Sequence, residues 1–404
     1  MHLSIFLCII ASTISSALWP SGPILLVVAT RPDIIKMAPV YHALRKSSID
    51  TIVCSTDQHR DITADFFDIF HMHPDIHLNI MKINQDLTYI TTTVLDHLKD
   101  VYATLKPSLV MVQGDTTSAM SAALAAFYAK IPIAHVEAGL RTSTIQAPFP
   151  EECNRRIISL LASYHFAPTQ NARQNLLKEG IDANTIFFTG NTVVDALHYI
   201  IEALEEGIIS PSPTICAYIQ QAHQNAKKIL LFTAHRRESF EYGLSSIFAT
   251  LAAFLEQHPE IVVLYPMHPN PHIKKLFECS ELRKANNIIV CNPMSYVDVI
   301  YTLHNAAFVV TDSGGLQEEA ASLGKYTVVL REETERIESV QAGLSIVAGY
   351  DPERIEAALH ITLSTLQQKE EHPHHTHKKN IHTLYGDGTA AEYMSLSRNS
   401  GRQI

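Results

Sequence analysis

Residues 308–319 join a strongly apolar strand pattern to a helix pattern whose first turn carries little side-chain bulk. Ser313, Gly314 and Gly315 leave the first helical amides uncovered, so these N–H groups and the positive end of the helix dipole can bind phosphate oxygens. Glu319 would repel a diphosphate at close range, and we expect it to accept hydrogen bonds from ribose hydroxyls instead. The pattern indicates a nucleotide diphosphate site, with an ordinary tight turn as the alternative.

Cationic side chains follow two other strand patterns. Arg31 comes directly before a proline, a residue suited to the first position of a helix. On its own, an arginine in this position is most often a surface residue. His235, Arg236 and Arg237 follow a later strand, where the imidazole can donate to a departing phosphate and the guanidiniums can bind phosphate or pair with Glu238.

Carboxylates follow strands or turns at Asp115, Glu137 and Glu151. If the three converge, environments that separate their pKa values would let them serve as acid and base on opposite faces of one carbon. Each has a structural alternative: Asp115 as the N-cap of a helix starting at Thr116, Glu137 as an ion-pair partner of Arg141, and Glu151 in a solvated loop. We find no nucleophile elbow, reactive-cysteine context or strong metal-ligand spacing, so we expect no metal and no covalent catalysis.

Composition restricts the classes of protein further. The chain has 404 residues, 46% hydrophobic and 18% charged, with a net charge of -10. This balance is typical of a globular protein of about two domains and argues against a nucleic-acid partner. The six cysteines form no C-x-x-C pair, which favours a reducing cytoplasm.

Two segments depart from this pattern. Residues 1–22 are an apolar extension that resembles a signal peptide but lacks a positive n-region, so export or membrane tethering is the alternative to a cytoplasmic protein without a membrane partner. Residues 372–377 contain four histidines, which we interpret as a solvated loop, with a metal site as the alternative.

Short apolar runs alternate with helical patterns along the chain, which predicts an α/β protein with two doubly wound, Rossmann-like domains facing a cleft. We predict a first domain over residues 23–190 and a second over residues 191–388, with a C-terminal helix at 389–404 that packs back on the first. The predicted strands are Ile24–Ala29, Thr51–Ser55, Leu109–Gln113, Ile131–Val136, Ile229–Thr233, Ile261–Tyr265, Asn287–Cys291, Ala307–Thr311 and Thr327–Leu330.

Motifs spread from Ile24 to Gly388 match one known family. They comprise Thr30–Pro32, Lys36–Pro39, Gln58–Arg60, Gly114–Thr117, His135–Arg141, Pro150–Glu152 with Asn154 and Arg155, Thr189–Thr192, His235–Ser239, Tyr265, Pro266 and His268, Thr311–Gly315, Gln317–Glu319 and Thr334–Arg336. The set resembles the non-hydrolysing UDP-N-acetylglucosamine 2-epimerases. The resemblance implies a GT-B-like fold and an enzyme that interconverts UDP-GlcNAc and UDP-ManNAc, as in cell-envelope polysaccharide synthesis, without a cofactor.

The same resemblance implies roles for individual residues. UDP would leave by anti elimination and return to an enzyme-held 2-acetamidoglucal, with Asp115, Glu137 and Glu151 as acid and base groups and His235 assisting the pyrophosphate. The residues implied in binding the UDP-sugar are Arg31, Lys36, Arg141, Arg236, Ser313, Gly314, Gly315, Glu319 and Arg336. The family also implies a homodimer and an allosteric substrate site, which Gln58 and His268 match.

Several positions depart from the family pattern, although none is a predicted catalytic group. Ala29 and Ala234 stand where glycine is usual, and the added methyl groups can alter how closely backbone approaches ligand. Gln113 stands where histidine is frequent.

Three other functions remain open from the sequence. A hydrolysing relative would release UDP and free ManNAc. A retaining glycosyltransferase would need no trio of acids at C2. A non-catalytic UDP-sugar sensor would keep the glycine-rich helix start but could lose the carboxylates.

Overall fold

The structure, a computed structural model, describes residues 22–58, 60–234, 243–371 and 384–400. Two compact units divide the chain. The first takes the chain as far as Ala196 and resumes at Tyr385, and the second runs from Leu197 to Leu384. The first unit therefore contains two separate stretches of sequence.

The first unit alternates strands and helices. Its described elements are β1 (Ile24–Val28), α1 (Arg31–Lys46), β2 (Thr51–Ser55), α2 (Arg60–Ile69), β3 (Ile76–His77), α3 (Leu87–Leu105), β4 (Leu109–Gln113), α4 (Thr117–Tyr128), β5 (Ile133–Val136), α5 (Glu151–Leu161), β6 (Tyr164–Ala167), α6 (Gln170–Lys178), a 3-10 turn (Ala183–Thr185), β7 (Ile186–Phe188) and the first part of α7 (Thr192–Glu205). All the strand pairs are parallel, in the order β3-β2-β1-β4-β5-β6-β7.

The order of the strands reverses between β1 and β4. Side chains of both strands belong to one buried hydrophobic core. Leu25 and Val27 on β1 pack with Val110 and Val112 on β4. Strands that are buried on both faces consist of continuous apolar runs, as these do. Ligands in such sheets bind beyond the carboxyl ends of the strands at the reversal, so the residues after β1, β4 and β5 are the ones in position to act.

The second unit repeats this architecture. Its described elements are the rest of α7, then α8 (Pro213–Gln224), β8 (Lys228–Thr233), α9 (Leu244–Gln257), β9 (Ile261–Pro266), α10 (Pro271–Glu278), a 3-10 turn (Glu281–Lys284), β10 (Ile288–Cys291), α11 (Tyr296–Asn305), β11 (Phe308–Thr311), α12 (Gly314–Ser322), β12 (Tyr326–Val329), α13 (Ile337–Gln341), β13 (Ser345–Val347) and α14 (Pro352–Glu371). The strands are parallel in the order β10-β9-β8-β11-β12-β13, so the reversal lies between β8 and β11.

A C-terminal helix, α15 (Ala390–Ser400), lies against α1 of the first unit. Asp195 on α7 holds the start of α15, because its Oδ1 accepts a hydrogen bond from the Ala391 amide at 2.9 Å. Burial raises the pKa of Asp195 to about 6. At the surface, Lys46 and Glu392 form an ion pair at 3.2 Å.

The predicted fold class is confirmed, since the chain has two units and each is a doubly wound, Rossmann-like parallel sheet. The sequence missed four short strands: β3, β6, β7 and β13. Among the described residues, no helix is both long and apolar enough to span a membrane. Residues 1–21 of the apolar extension and residues 372–377 lie outside the described part of the chain.

Candidate active site

A sharp turn after β5 places Glu137 at the carboxyl end of the first sheet. Glu137 has a φ of 67° and Gly139 a φ of 92°, so the chain bends through two left-handed residues directly after the strand. A side chain at Gly139 would meet the Ala172 carbonyl oxygen at 2.2 Å, so the turn packs tightly on α6. Parallel pairing of Gln113 with Val136 brings the end of β4 beside this turn.

Three donors from separate elements converge on the Glu137 carboxylate. The Lys36 ammonium on α1 forms an ion pair with Oε1, and the Gln113 amide on β4 donates to Oε2. The Asn191 amide, just before α7, donates to Oε1 at 3.3 Å. Glu137 is 7% exposed. Donors that converge on a carboxyl group favour its ionised form, and this is the form in which Glu137 can accept a proton.

Arg141 pairs with Glu179 and not with Glu137. Its guanidinium donates twice to Glu179, at 2.7 Å each, and also to the Leu140 carbonyl and the Ser159 hydroxyl. The alternative that Glu137 pairs with Arg141 is therefore wrong. These contacts make Arg141 a link between the turn after β5 and helix α6, and its predicted role in binding UDP stays a prediction.

Asp115 follows β4 and forms an ion pair with Arg155 at 2.6 Å. Arg155 is almost fully buried and also bonds Glu152 at 3.0 Å, so its orientation is fixed from two sides. The N-cap alternative for Asp115 is wrong, because the Thr116 hydroxyl caps α4. Asp115 is thereby left as a partly exposed carboxylate held by a buried cation.

Glu151 is the first residue of α5 and is half-buried, so the solvated-loop alternative for it is also wrong. A carboxylate is stabilised in the first turn of a helix by the helix dipole. Residues four apart on a helix lie on the same face, so Glu151 is one turn from Arg155 and its ion pair with Asp115. Helix α5 therefore brings two of the predicted carboxylates into one neighbourhood.

The turn between β1 and α1 lies near Asp115. Asp33 accepts hydrogen bonds from the Ala29 and Thr30 amides at 2.9 and 3.1 Å. Burial raises the pKa of Asp33 to about 7, and the nearby charge of Asp115 acts in the same direction. Arg31 is exposed at the first position of α1, where its guanidinium is accessible to ligand.

His135 is a buried residue of the site whose role the sequence did not reveal. Its Nε2 lies 2.8 Å from the Gly114 carbonyl oxygen, directly before Asp115. Burial lowers the pKa of His135 to about 3, so the ring is neutral near pH 7 and Nε2 donates to that carbonyl. His135 therefore fixes the backbone from which Asp115 projects.

The glycine-rich junction of the second unit forms the predicted helix start. Ser313 is the N-cap of α12 and its hydroxyl accepts from the Leu316 amide at 3.4 Å. Strands β8 and β11 meet just before it, where the Thr233 and Thr311 hydroxyls lie 2.6 Å apart. The junction therefore opens at the carboxyl edge of the second sheet, at the strand reversal.

Arg336 supplies a fixed cation beside this helix start. A side chain at Gly314 would meet the Arg336 guanidinium carbon at 3.2 Å. Arg336 donates to Glu318 at 3.0 Å and forms an ion pair with Glu335, which in turn bonds Arg331 at 2.9 Å. Because the network is buried, the guanidinium is held in place beside the helix N-terminus.

Glu319 accepts a hydrogen bond from the Tyr296 hydroxyl at 2.8 Å. Burial, and then the charge of Glu319, raise the pKa of Tyr296, so the tyrosine remains a donor. This bond fixes the Glu319 carboxylate in place. Its predicted contact with a ribose stays a prediction.

The remaining predicted residues have other contacts or lie outside the described chain. His235 and Arg236 fall in residues 235–242, outside the part that the structure describes. The Gln58 side-chain oxygen accepts from Ser118 at 2.7 Å, and His268 Nδ1 accepts from the Asn270 amide at 3.2 Å. Their allosteric role stays a prediction.

Gly315 provides a direct test of the phosphate site. An added side-chain carbon meets nothing within 4 Å, so Gly315→Ala should fold normally and slightly stabilise α12. A diphosphate on the helix amides would meet this carbon, and we expect the Kd for UDP to rise ~10-fold or more. Calorimetric titration with UDP and a thermal melt give the two readouts. An unchanged Kd would place the diphosphate elsewhere.

Comparison with known proteins gives the family. A family model described as UDP-N-acetylglucosamine 2-epimerase matches residues 42–395. The chain belongs to this family. A UDP-N-acetylglucosamine 2-epimerase of Yersinia pestis is 42% identical over 373 residues, which cover 91% of this chain and 96% of that protein.

Solved structures of epimerases resemble the chain over similar lengths. The Neisseria meningitidis UDP-GlcNAc 2-epimerase bound to UDP-GlcNAc is 38% identical, with a TM-score of 0.79, and covers 92% of this chain and 98% of its own. The Methanocaldococcus jannaschii enzyme in complex with UDP-GlcNAc and UDP is 32% identical, with a TM-score of 0.76 and the same coverage.

Within the first unit of this epimerase-family chain, the structure gathers predicted residues at one sheet edge and adds others. The sequence identified the strand-end carboxylates but not the role of Gln113 or Asn191 as donors to Glu137. One signal was present for Asn191. An asparagine after a glycine, at the start of a helix pattern, is typical of an N-cap next to a strand end.

Proposed function

We propose that this epimerase-family chain interconverts UDP-GlcNAc and UDP-ManNAc by inversion at C2, without hydrolysis. The observation that carries the proposal is the convergence of Lys36, Gln113 and Asn191 on Glu137, because three donors favour the ionised form that a base at the edge of the sheet would need. Relatives crystallised with UDP-GlcNAc and UDP support the substrate class.

The proposed reaction is an elimination followed by an addition. A carboxylate accepts the C2 proton as the bond between C1 and the UDP oxygen breaks, which leaves UDP and 2-acetamidoglucal. UDP then re-forms the bond to C1 while a carboxylic acid on the opposite face returns a proton to C2. We assign proton transfer to Glu137, Asp115 and Glu151, with Glu137 as an acceptor.

Charge that develops on the departing UDP needs stabilisation. We assign that role to the amides of α12 after Ser313, including those of Gly314 and Gly315, and to Arg336, which is fixed beside them. We further assign Arg31, Lys36, Arg236 and His235 to the diphosphate and Glu319 to the ribose. Holding the glycal beside UDP makes re-addition effectively intramolecular.

Incorporation of solvent deuterium at C2 tests the proposed reaction. In deuterium oxide, UDP-GlcNAc should give UDP-ManNAc with one solvent deuterium at C2, while the total amount of UDP-sugar stays constant. Mass spectrometry measures the label and chromatography measures the nucleotides. Accumulation of free ManNAc with UDP would indicate hydrolysis, and product without deuterium would rule out proton exchange at C2.

The family resemblance also motivates two further proposals. We propose that the enzyme is a homodimer and that UDP-GlcNAc also activates it allosterically, with Gln58 and His268 as the candidate residues. Light scattering tests the first. A sigmoidal dependence of the UDP-ManNAc reaction on added UDP-GlcNAc tests the second.

A further inference from the structure

Asn191 uses its side chain and its backbone for different contacts. Its Oδ1 accepts from the Val193 amide at 3.1 Å, which caps α7, and its Nδ2 donates to Glu137 Oε1 at 3.3 Å. Its backbone amide donates to the Tyr385 carbonyl at 2.6 Å. The residue is 2% exposed, so water does not compete for these groups.

These contacts fall where the chain leaves the first unit and where it returns. Helix α7 carries the chain out of the first unit after Ala196, and Tyr385 is the first residue after the return. The backbones touch here, because a side chain at Gly190 would meet the Gly386 Cα at 3.1 Å. Asn191 therefore contacts both passages and the carboxylate.

We propose that Asn191 is a positioning residue that fixes Glu137 for proton transfer and connects it to both chain passages. The proposal rests on the proposed function. Glu137 projects from a left-handed backbone position, so its orientation depends on the donors that reach it. Asn191 adds a neutral donor to Oε1, where Lys36 adds a charged one.

Ionisable groups other than Glu137 lie on the neighbouring elements. They are Lys36 and Asp33 on α1, Asp115 after β4 with its partner Arg155 on α5, His135 on β5 and Arg141 in the turn after β5. They are present in the unaltered protein and in an Asn191 variant alike. A difference between the two pH profiles therefore reports on residue 191 and Glu137.

The Asn191→Asp variant separates the two ends of the side chain. An aspartate still caps α7 by accepting from the Val193 amide, so the fold is retained. It loses the donor and places a second anion where the amide lay, 3.3 Å from Glu137 Oε1. Two adjacent carboxylates do not both ionise readily, so we expect the pair to keep a proton to a higher pH than Glu137 does alone.

We expect Asn191→Asp to lower kcat near pH 7 by ~10- to 100-fold. The limb of the pH–rate profile that reflects ionisation of the base should move upward by about one pH unit or more. KM for UDP-GlcNAc should stay within ~3-fold, because UDP binding is unaffected. The measurement is the rate of C2 deuterium exchange from pH 5 to 9. A residue with a purely structural role would change stability without moving the limb.

A second variant and a control complete the test. Asn191→Ser keeps a cap, is too short to reach Glu137 and adds no charge, so kcat should fall without the alkaline shift. Asp182→Asn makes the reverse exchange at an exposed cap and should leave both readouts unchanged. The inference is wrong if Asn191→Asp has the kcat and pH profile of the unaltered enzyme. It is also wrong if Asn191→Ser has the kcat of the unaltered enzyme. If the unaltered enzyme itself shows no C2 exchange, it is the proposed function that fails.

Discussion

The Glu137→Gln variant should lose about 10³-fold in the rate of C2 exchange while its Kd for UDP stays within ~3-fold. An amide cannot accept the proton, and its NH2 group must face either Gln113 or the Lys36 and Asn191 donors. The expected result is therefore loss of turnover without loss of nucleotide binding. Deuterium exchange measures the first and calorimetric titration with UDP the second.

The same variant leaves the Lys36 ammonium without its carboxylate, and the side chain of Lys36 is only 6% exposed. Removing one partner of a buried ion pair costs about 3–5 kcal/mol, so reduced stability could be mistaken for a catalytic effect. The double variant Lys36→Met/Glu137→Gln removes the unpaired charge. We expect it to recover the urea midpoint but not turnover, because it lacks the base and also lacks Lys36, which we assign to the diphosphate.

Glu370→Gln is the matched control, because it makes the same exchange at an exposed carboxylate that pairs with Lys228. Its turnover should equal that of the unaltered enzyme. Near-normal exchange in Glu137→Gln would refute the role of Glu137. Recovery of exchange in the double variant would show that the loss came from stability.

The Gly139→Ala variant should be the most destabilising single-methyl change near the site, at about 2–5 kcal/mol. At a φ of 92°, an L-residue is strained, and the added carbon would lie 2.2 Å from the Ala172 carbonyl oxygen and 2.9 Å from Leu176 Cγ. The turn that carries Glu137 or helix α6 must shift. Urea unfolding measures the cost, and C2 exchange measures the effect on the base.

The Gly180→Ala variant separates the cost of the strained backbone from the cost of the close packing. Gly180 has a similar φ of 85°, but an added carbon there meets nothing within 4 Å. It should lose only the backbone preference, about 1 kcal/mol, with normal turnover. Equal losses in the two variants would mean that close packing at Gly139 contributes nothing.

The sequence predicted the strands that form long apolar runs and missed those that do not. β7 and β13 have only three residues each, too few for a pattern. β6 contains a buried histidine, His165, whose Nε2 lies 2.9 Å from the Ser159 carbonyl oxygen. This contact satisfies the polar ring inside the sheet, and a local sequence pattern does not reveal it.

The candidate site shows the same limit. Strand ends revealed Glu137 and Asp115 because polar residues follow apolar runs there. Their partners Lys36 and Arg155 come from other elements, and Lys36 is 101 residues from Glu137 in the chain. Spacing alone therefore favoured the nearby Arg141 as the partner of Glu137, and the contacts of Arg141 with Glu179 show why that was wrong.

The return of the chain to its first unit has a consequence for how the protein is made. Helix α15, whose start Asp195 holds, is synthesised after the whole second unit, although it belongs to the unit whose synthesis began first. The second unit is one continuous stretch and can finish folding earlier. The first unit is therefore completed only after the second has been translated, and only then can the Tyr385 carbonyl bond Asn191 beside Glu137.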